Sequence, residues 1–209
     1  MKTWFFFAAR LTRALASVKS CSMSKNKNIC VYCGSGTGHN GAYAQAATIL
    51  GRDMAKNGIG LVYGGASIGL MGEVARAVRD NGGHVTGVIP RFLTKHEVVY
   101  QQAQEMIFTE TMQERKHIMA ERSDAFVALP GGIGTLEELV EMMTLAQLAR
   151  HQKPIILANI KDFWDPLINL FDHMRGEAFI RSEIPLQFTV SHAAEDIVPM
   201  IRSAWESGD

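Results

Sequence analysis

Short apolar runs alternate with longer segments of helical periodicity along most of this chain, and this alternation limits the folds that it can adopt. The apolar runs predict strands at Asn28–Cys33, Ile59–Tyr63, His84–Ile89, Glu105–Thr109, Asp124–Leu129, Pro154–Ile160 and Phe188–Val190. The helical patterns lie at Gly41–Lys56, Leu70–Arg79, Met112–Arg122, Leu136–Arg150, Phe163–Met174 and Ala193–Trp205. Strands that alternate with helices in this way predict parallel βαβ units with right-handed crossovers.

The central strands indicate how the sheet is covered. The run Ala125–Leu129 contains no polar residue, which is typical of a strand buried on both faces. A chain of 209 residues is long enough for one domain with a continuous core. We therefore predict an α/β fold: a single Rossmann-like, doubly wound parallel sheet with helices on both faces, formed by residues 28–209.

The first 27 residues form a separate N-terminal extension in this prediction. They contain six Lys and Arg residues and no acidic residue, and their apolar run Trp4–Ala9 is too short to span a membrane. Three interpretations stay open. The extension is an organelle targeting segment, which such a composition favours, a stretch upstream of a true start at Met23, or a tail with a role of its own. The prediction for the extension is a disordered segment outside the fold.

The charge distribution limits the possible partners. Because the whole chain has no net charge, the part after residue 27 carries a net charge of −6. An acidic body lacks the basic surface that nucleic-acid binding requires, and no apolar segment is long enough for a membrane span. An odd, small number of cysteines favours a reducing compartment over a disulfide framework. We therefore expect a cytoplasmic protein that binds neither nucleic acid nor membranes.

Three glycine-rich turns follow predicted strands: Gly34–Gly38, Gly64–Gly72 and Pro130–Thr135. In a parallel sheet, strand-to-helix turns lie at the carboxyl edge, where ligands bind. Glycines let backbone N–H groups approach a ligand closely, and the start of a helix favours negative charge. The three turns together predict a site for a small ligand that contains phosphate.

Two short motifs suggest a dinucleotide site and a metal site, but neither is complete. Gly36–Gly41 matches GxGxxG, but the second strand ends in Val62-Tyr63-Gly64-Gly65 without the acidic residue of a dinucleotide site. Cys30 and Cys33 have CxxC spacing, yet positions three apart on a strand point to opposite faces, and no second Cys/His pair completes a zinc site. We expect neither a metal nor a cofactor.

Longer motifs carry a family resemblance over roughly residues 28–205. Pro130-Gly-Gly-Ile-Gly-Thr-Leu-Glu-Glu138 matches the PGGxGTxxE signature of the LOG (Lonely Guy) family, and Arg115-Lys116 precedes it at the family spacing. The turns at Gly34-Ser35 and Gly64–Gly72, and the segment Pro90–Glu97, also resemble family elements. The resemblance implies hydrolysis of the N-glycosidic bond of purine nucleoside 5′-monophosphates, particularly cytokinin-type N6-modified adenosine nucleotides, to the free base and ribose 5-phosphate.

The resemblance also implies roles for individual residues. Arg115 and Glu138 are its catalytic pair. Together with the glycine turns, it assigns substrate or phosphate binding to Gly34, Ser35, Gly65, Met71, Glu97, Lys116, Gly131, Gly132, Ile133, Gly134, Thr135 and Glu137. The chemistry fits, because breaking an N-glycosidic bond builds positive charge on the ribose. An ionised Glu138 could stabilise that charge or orient a water, whereas Arg115 is too weak an acid for proton transfer and would donate hydrogen bonds.

Several alternatives stay open. Thr135–Glu138 also matches a capping box, which would give Glu138 a structural role in the first turn of its helix. The four methionines Met112, Met119, Met142 and Met143 could belong to the core, line an apolar pocket, or form the face of the homodimer that the resemblance implies. A second function is also possible on the same fold, a non-catalytic nucleotide or molybdenum-cofactor carrier, which would need the glycine turns but not Arg115 with Glu138.

Overall fold

The computed structural model of the chain describes residues 27–95 and 98–207. Its strands are β1 (Asn28–Tyr32), β2 (Gly60–Tyr63), β3 (Val85–Pro90), β4 (Glu105–Thr109), β5 (Ala125–Ala128), β6 (Ile155–Ala158) and β7 (Thr189–Ser191). Its α-helices are α1 (Gly41–Lys56), α2 (Gly69–Asp80), α3 (Met112–Glu121), α4 (Ile133–Gln147), α5 (Asp165–Gly176) and α6 (Ala194–Ser207). The predictions for residues 1–26, including the start at Met23, and for Glu97 lie outside the described residues.

All strands pair in parallel in one seven-stranded sheet of order β4-β3-β2-β1-β5-β6-β7. Strands β1 to β4 follow one another from the centre of the sheet to one edge. The chain then crosses back, and β5 pairs with the other side of β1, with Val31 opposite Val127. This reversal is the switch point at which doubly wound sheets open a crevice beyond their carboxyl ends. The predicted fold class is therefore confirmed, and the crevice lies between the turns that follow β1 and β5.

The sheet is covered on both faces, as the apolar strands require. One face packs against α1, α2 and α6 through side chains such as Leu50, Val74 and Ile197. The other packs against α3, α4 and α5, where Met119 and Leu139 are buried. Because neighbouring strand positions alternate in direction, Val31 and Phe126 lie in different halves of the core.

The two described cysteines follow the same rule. Cys30 packs into the core on the α4 side of the sheet and Cys33 into the core on the α1 side, and both thiols are free. Burial raises the pKa of each thiol well above its ordinary value. The prediction that this CxxC spacing reflects packing is consistent with both observations, because the two side chains lie on opposite faces.

The structure differs from the predicted elements at several ends. Helix α4 begins at Ile133, three residues before the predicted start at Leu136, because a glycine-rich segment can enter a helix without a polar cap residue. Short 3₁₀ helices at Arg91–Lys95 and Ile160–Asp162 were not predicted. Within the part of the chain that the structure describes, no helix is both long and apolar enough to cross a membrane.

Candidate active site

A cleft of about 300 Å³ opens at the carboxyl edge of the sheet, between the ends of β1 and β2 and the starts of α3 and α4. It is lined by Val31, Tyr32, Cys33, Gly34, Ser35, Gly64, Met71, Met112, Arg115, Gly132, Ile133, Gly134, Thr135 and Glu138. Nine of these residues were predicted as site residues. The fold thus brings together segments that are far apart in sequence, at the switch point where ligands of such sheets bind.

Arg115 reaches the cleft from α3 and is held by backbone carbonyls of β3 and of the turn after β2. Its Nε donates to the carbonyl of Val88 at 3.1 Å and its Nη2 to the carbonyl of Gly64 at 3.3 Å. A Cβ on Gly64 would collide with Nη2, so the missing side chain makes room for the guanidinium. The side chain of Arg115 is 9% exposed. Two backbone acceptors therefore fix the orientation of this buried cation.

A helix cap fixes where α3 begins and therefore on which side of this helix Arg115 lies. The hydroxyl of Thr111 accepts the N–H of Glu114 at 3.1 Å and begins α3. The Glu114 carboxylate accepts the N–H of Glu110 at 2.9 Å in return, an arrangement close to a capping box. The pattern Thr111-Met-Gln-Glu114 is a signal that the sequence analysis missed.

Glu138 faces Arg115 across the cleft. Its Oε1 lies 3.8 Å from Nη1 of Arg115, and its side chain is 10% exposed. Burial raises the pKa of Glu138 to about 7, although the charge of Arg115 acts to lower it. The site therefore holds a carboxylate that changes protonation near neutral pH, beside a permanent cation.

The capping-box alternative for Glu138, with its place in the first turn of the helix, was wrong. The helix begins at Ile133 after the N-cap residue Gly132, so Thr135 is not a cap and no capping box forms. Glu138 is the sixth residue of α4, beyond the first turn in which the helix dipole favours ionisation. Burial dominates instead, which is why its pKa rises rather than falls.

The start of α4 offers backbone donors to the cleft. The first N–H of this helix with an acceptor one turn back is that of Leu136, which donates to Gly132 at 3.1 Å. The amides of Ile133, Gly134 and Thr135 consequently have no acceptor within the helix. Free N–H groups at a helix start can bind phosphate or another anion.

The neighbouring turns are tied together around a second cleft of about 310 Å³. The N–H of Gly34 donates to Pro130 at 3.1 Å, and the N–H of Leu70 donates to Gly34 at 3.1 Å. Gly131 lines this second cleft, while Gly34, Ser35 and Gly132 line both. The β1 and β5 turns thus form one connected backbone surface.

Three predicted site residues that the structure describes lie away from the two clefts. Gly65 packs against Ile89 and Met106 below the β2 turn. Lys116 and Glu137 form an ion pair outside the cleft, and Lys116 also contacts Glu141 at 2.9 Å. The sequence places both residues next to catalytic candidates, but a neighbour on a helix points in a different direction.

The predicted roles of the methionines divide in the structure. Met119, Met142 and Met143 are buried in the core of the chain itself, so they cannot form the face of a dimer, as was one expectation. Met112 lines the cleft beside Arg115. Tyr32 was missed as a lining residue; it stacks on Phe126 with ring centroids 6.1 Å apart.

The comparisons with known proteins agree with the motifs. A family model described as "Possible lysine decarboxylase" matches residues 71–201. Cytokinin riboside 5′-monophosphate phosphoribohydrolase LOG3 of Arabidopsis thaliana is 47% identical over 78% of this chain and 77% of that relative. The probable enzyme LOGL1 of Oryza sativa is 40% identical over 94% and 93%. The chain belongs to the LOG family.

Another LOG-family relative, the LOG enzyme of Oryza sativa, is 49% identical over 77% of this chain, which spans 66% of the relative's length. The decarboxylase description of the family model would imply a lysine that binds pyridoxal phosphate. The cleft residues do not fit that cofactor, because no lysine is among those that line the cleft.

Solved structures share the LOG-family fold at lower identity. A molybdenum cofactor binding protein from Rippkaea orientalis is 24% identical, with a TM-score of 0.64 over 86% of this chain and 98% of that protein. The molybdenum cofactor carrier protein of Chlamydomonas reinhardtii is 21% identical, with a TM-score of 0.65 over 87% and 99%. At this identity the likeness concerns the fold alone.

Proposed function

We propose that the chain hydrolyses the N-glycosidic bond of purine nucleoside 5′-monophosphates, in particular cytokinin-type N6-modified adenosine nucleotides, and releases the base and ribose 5-phosphate. The observation that carries the proposal is the buried Arg115–Glu138 pair, 3.8 Å apart, in a cleft beside the glycine turns. The names of the relatives, as cytokinin riboside 5′-monophosphate phosphoribohydrolases, support the same substrate class.

The start of α4 is the proposed phosphate site. The free amides of Ile133, Gly134 and Thr135 point from a helix N-terminus, where the helix dipole favours an anion. Gly132 and Gly134, at which a Cβ would meet nothing within 4 Å, leave the backbone open to close approach. Gly34 and Ser35 complete the opposite side. This arrangement would hold the 5′-phosphate and leave the ribose C1′ near Glu138.

Glu138 is the proposed general base. A pKa of about 7, which burial produces, suits proton transfer near neutral pH. Water bonds to C1′ as the C1′–N9 bond breaks, the bonding electron pair leaves with the base, and Glu138 takes the proton from the water. The departing base takes up a proton from solvent, and Glu138 afterwards returns the proton of the water to solvent. Before that transfer, the ionised carboxylate offsets the positive charge that develops on the ribose.

Arg115 acts as a fixed donor in this mechanism. Its guanidinium keeps its proton, and two of its nitrogen atoms are bound to backbone carbonyls. The remaining Nη1 faces Glu138 and the cleft. From there it can hydrogen-bond the departing base or the phosphate while its charge lowers the pKa of Glu138.

The alternative, a non-catalytic carrier, has less support. The solved carriers share only the fold with this chain, at 21–24% identity. A carrier needs the glycine turns but has no evident use for a buried carboxylate with a pKa of about 7 opposite an arginine. The cleft composition therefore favours catalysis.

We also propose a cytoplasmic homodimer. With Met119, Met142 and Met143 in the core, the exposed large apolar residues of α4 and its C-terminal cap are Ile133, which also lines the cleft, Val140 and Leu148, which are 81%, 38% and 63% exposed. Exposed apolar side chains of this kind favour a partner surface. The free thiols of Cys30 and Cys33 favour a reducing compartment.

The test is direct. Purified protein is incubated with AMP, with N6-isopentenyladenosine 5′-monophosphate and with the matching nucleoside, and free base is measured by chromatography. Release of base from a monophosphate, together with an equal amount of ribose 5-phosphate, supports the proposal. Binding of nucleotides without release of base would replace it with the carrier function.

A further inference from the structure

Lys116 makes a second connection between the helices that carry the catalytic candidates. Its Nζ forms ion pairs with Glu137 and, at 2.9 Å, with Glu141, and its side chain is only 13% exposed. Neither Lys116 nor Glu137 lines the cleft. The lysine therefore joins α3 to α4 immediately beside the site, rather than pointing into it.

Helix geometry explains why Arg115 and Lys116, although adjacent in sequence, point in different directions. Successive residues of an α-helix point about 100° apart, so Arg115 faces the cleft while Lys116 faces α4. On α4, Glu137 and Glu141 are one turn apart and share a side, whereas Glu138 faces inward. Two layers result: an inner pair in the cleft and an outer ion-pair cluster of Lys116, Glu137 and Glu141.

The distance between Arg115 and Glu138 is linked to the ion-pair cluster around Lys116. Arg115 is anchored by the carbonyls of Val88 and Gly64. Among the described residues, by contrast, the carboxylate of Glu138 has no hydrogen-bond partner, and its one ion pair, at 3.8 Å, is long. The position of Glu138 thus depends on where α4 lies relative to α3, and the Lys116 ion pairs are a second polar link between those helices, beside the long Arg115–Glu138 pair.

We propose that Lys116 is a positioning residue, which holds Glu138 at its working distance from Arg115 through Glu137 and Glu141, and does not bind substrate. This inference rests on the proposed hydrolysis for its kinetic part. It revises the roles predicted from the sequence for Lys116 and Glu137.

The cluster also influences the charge of Glu138. Burial is the largest cause of the raised pKa of Glu138; Arg115 and Lys116 on α3 lower it, and Glu137 and Glu141 on α4 raise it. Cys30 and Tyr32 of β1, and Cys33 directly after it, are buried and stay neutral, because burial raises their pKa values. Loss of Lys116 should therefore raise the pKa of Glu138, and loss of its two carboxylate partners should lower it.

The experiment breaks the cluster from either side. Lys116→Met removes the cation, the double variant Glu137→Gln/Glu141→Gln removes its acceptors, and Lys116→Arg keeps the charge and the link. For each variant, kcat and KM for a nucleoside 5′-monophosphate are measured against pH. The carboxyl of Glu138 is titrated by ¹³C NMR, with its signal assigned by comparison with Glu138→Gln, and thermal unfolding is recorded.

We expect kcat to fall by about 10-fold or more in both disruptive variants, since small displacements of a catalytic group have such effects. KM should change less than about 3-fold, because none of the three residues touches substrate in this proposal, and Lys116→Arg should restore most of kcat. The pKa of Glu138 should move in opposite directions, upward in Lys116→Met and downward in the double variant. The titration reports the charge of the cluster, whereas a loss of kcat with little change in KM, restored by Lys116→Arg, reports its positioning role.

Other results would overturn the inference. A raised KM with unchanged kcat would make Lys116 a substrate ligand, and unchanged kcat with an unchanged Glu138 titration would reduce the cluster to a surface ion pair. If the wild-type protein releases no base from any nucleotide, the proposed function fails by itself. The NMR titration of the same variants then still decides whether the cluster acts on Glu138.

Discussion

Replacing Glu138 by glutamine should lower catalysis and raise stability at the same time. The pKa of this buried carboxyl is about 7 in the folded chain against an ordinary 4.5. A folded pKa above the unfolded one means that the protonated form is the stabilised one. Its stabilisation is complete below pH 4.5 and is lost as pH rises through about 7.

The size of the effect follows from the shift. At about 1.4 kcal/mol per pKa unit, ionisation of Glu138 reduces the free energy of unfolding by up to roughly 3 kcal/mol between pH 4.5 and pH 8. Glu138→Gln cannot ionise, so it should be more stable than the wild type at pH 8 by up to that amount. For a domain of this size, this corresponds to an increase in Tm of about 5–10 °C. At pH 4.5 the two proteins should unfold at similar temperatures.

The same substitution removes the proposed general base and its negative charge. We expect kcat to fall by about 10²-fold or more, the scale of a lost electrostatic contact in a transition state, while KM changes little. Thermal unfolding at pH 4.5 and pH 8 and base release at pH 8 measure both effects. Glu206→Gln, an exposed helical position far from the cleft, is the matched control and should change neither.

Either of two outcomes would refute this reasoning. If Glu138→Gln keeps the wild-type kcat, Glu138 is not catalytic, whatever its stability does, and the carrier function gains support. If instead kcat falls but stability at pH 8 falls too, Glu138 makes interactions as an anion that outweigh its burial. The wild-type titration would then have to show a pKa well below 7.

The remaining predictions concern the substrate, the pH profile, Arg115 and the assembly. The nucleoside should react far more slowly than its 5′-monophosphate, because the free amides at the start of α4 need an anion; equal kcat/KM would remove the phosphate site. The kcat/KM profile should decline as pH falls through about 7, where Glu138 becomes protonated; a flat profile between pH 5 and 8 would contradict the base assignment. Arg115→Ala should lower kcat and raise KM, whereas a change in neither would remove Arg115 from the site. Sedimentation at micromolar concentration should show a dimer that Val140→Asp weakens, and a wild-type monomer would refute the proposed interface.

Local periodicity was sufficient for the architecture. The two-residue repeat of strands and the 3.6-residue repeat of helices are properties of neighbouring residues, and they identified every strand of the described sheet within a few residues. The position of the cleft followed as well, because glycine-rich turns after parallel strands must meet at one edge. The motif of residues 130–138 with Arg115-Lys116 was specific enough to indicate the family before any tertiary contact was known.

The directions and charges of the site residues depended on packing between distant segments. Arg115 is oriented by carbonyls 27 and 51 residues away in the chain. The sequence around residues 115 and 116 therefore does not show that Arg115 faces the cleft while Lys116 faces α4. The start of α4 at Ile133 removed the capping box that Thr135 and Glu138 seemed to form in the sequence. The pKa of Glu138 is raised mainly by burial, and this burial results from the packing of α3 and α4 against the sheet. A side chain's neighbours in sequence set its element, but its partners in space set its chemistry, since desolvation and charge act through distance and not along the chain.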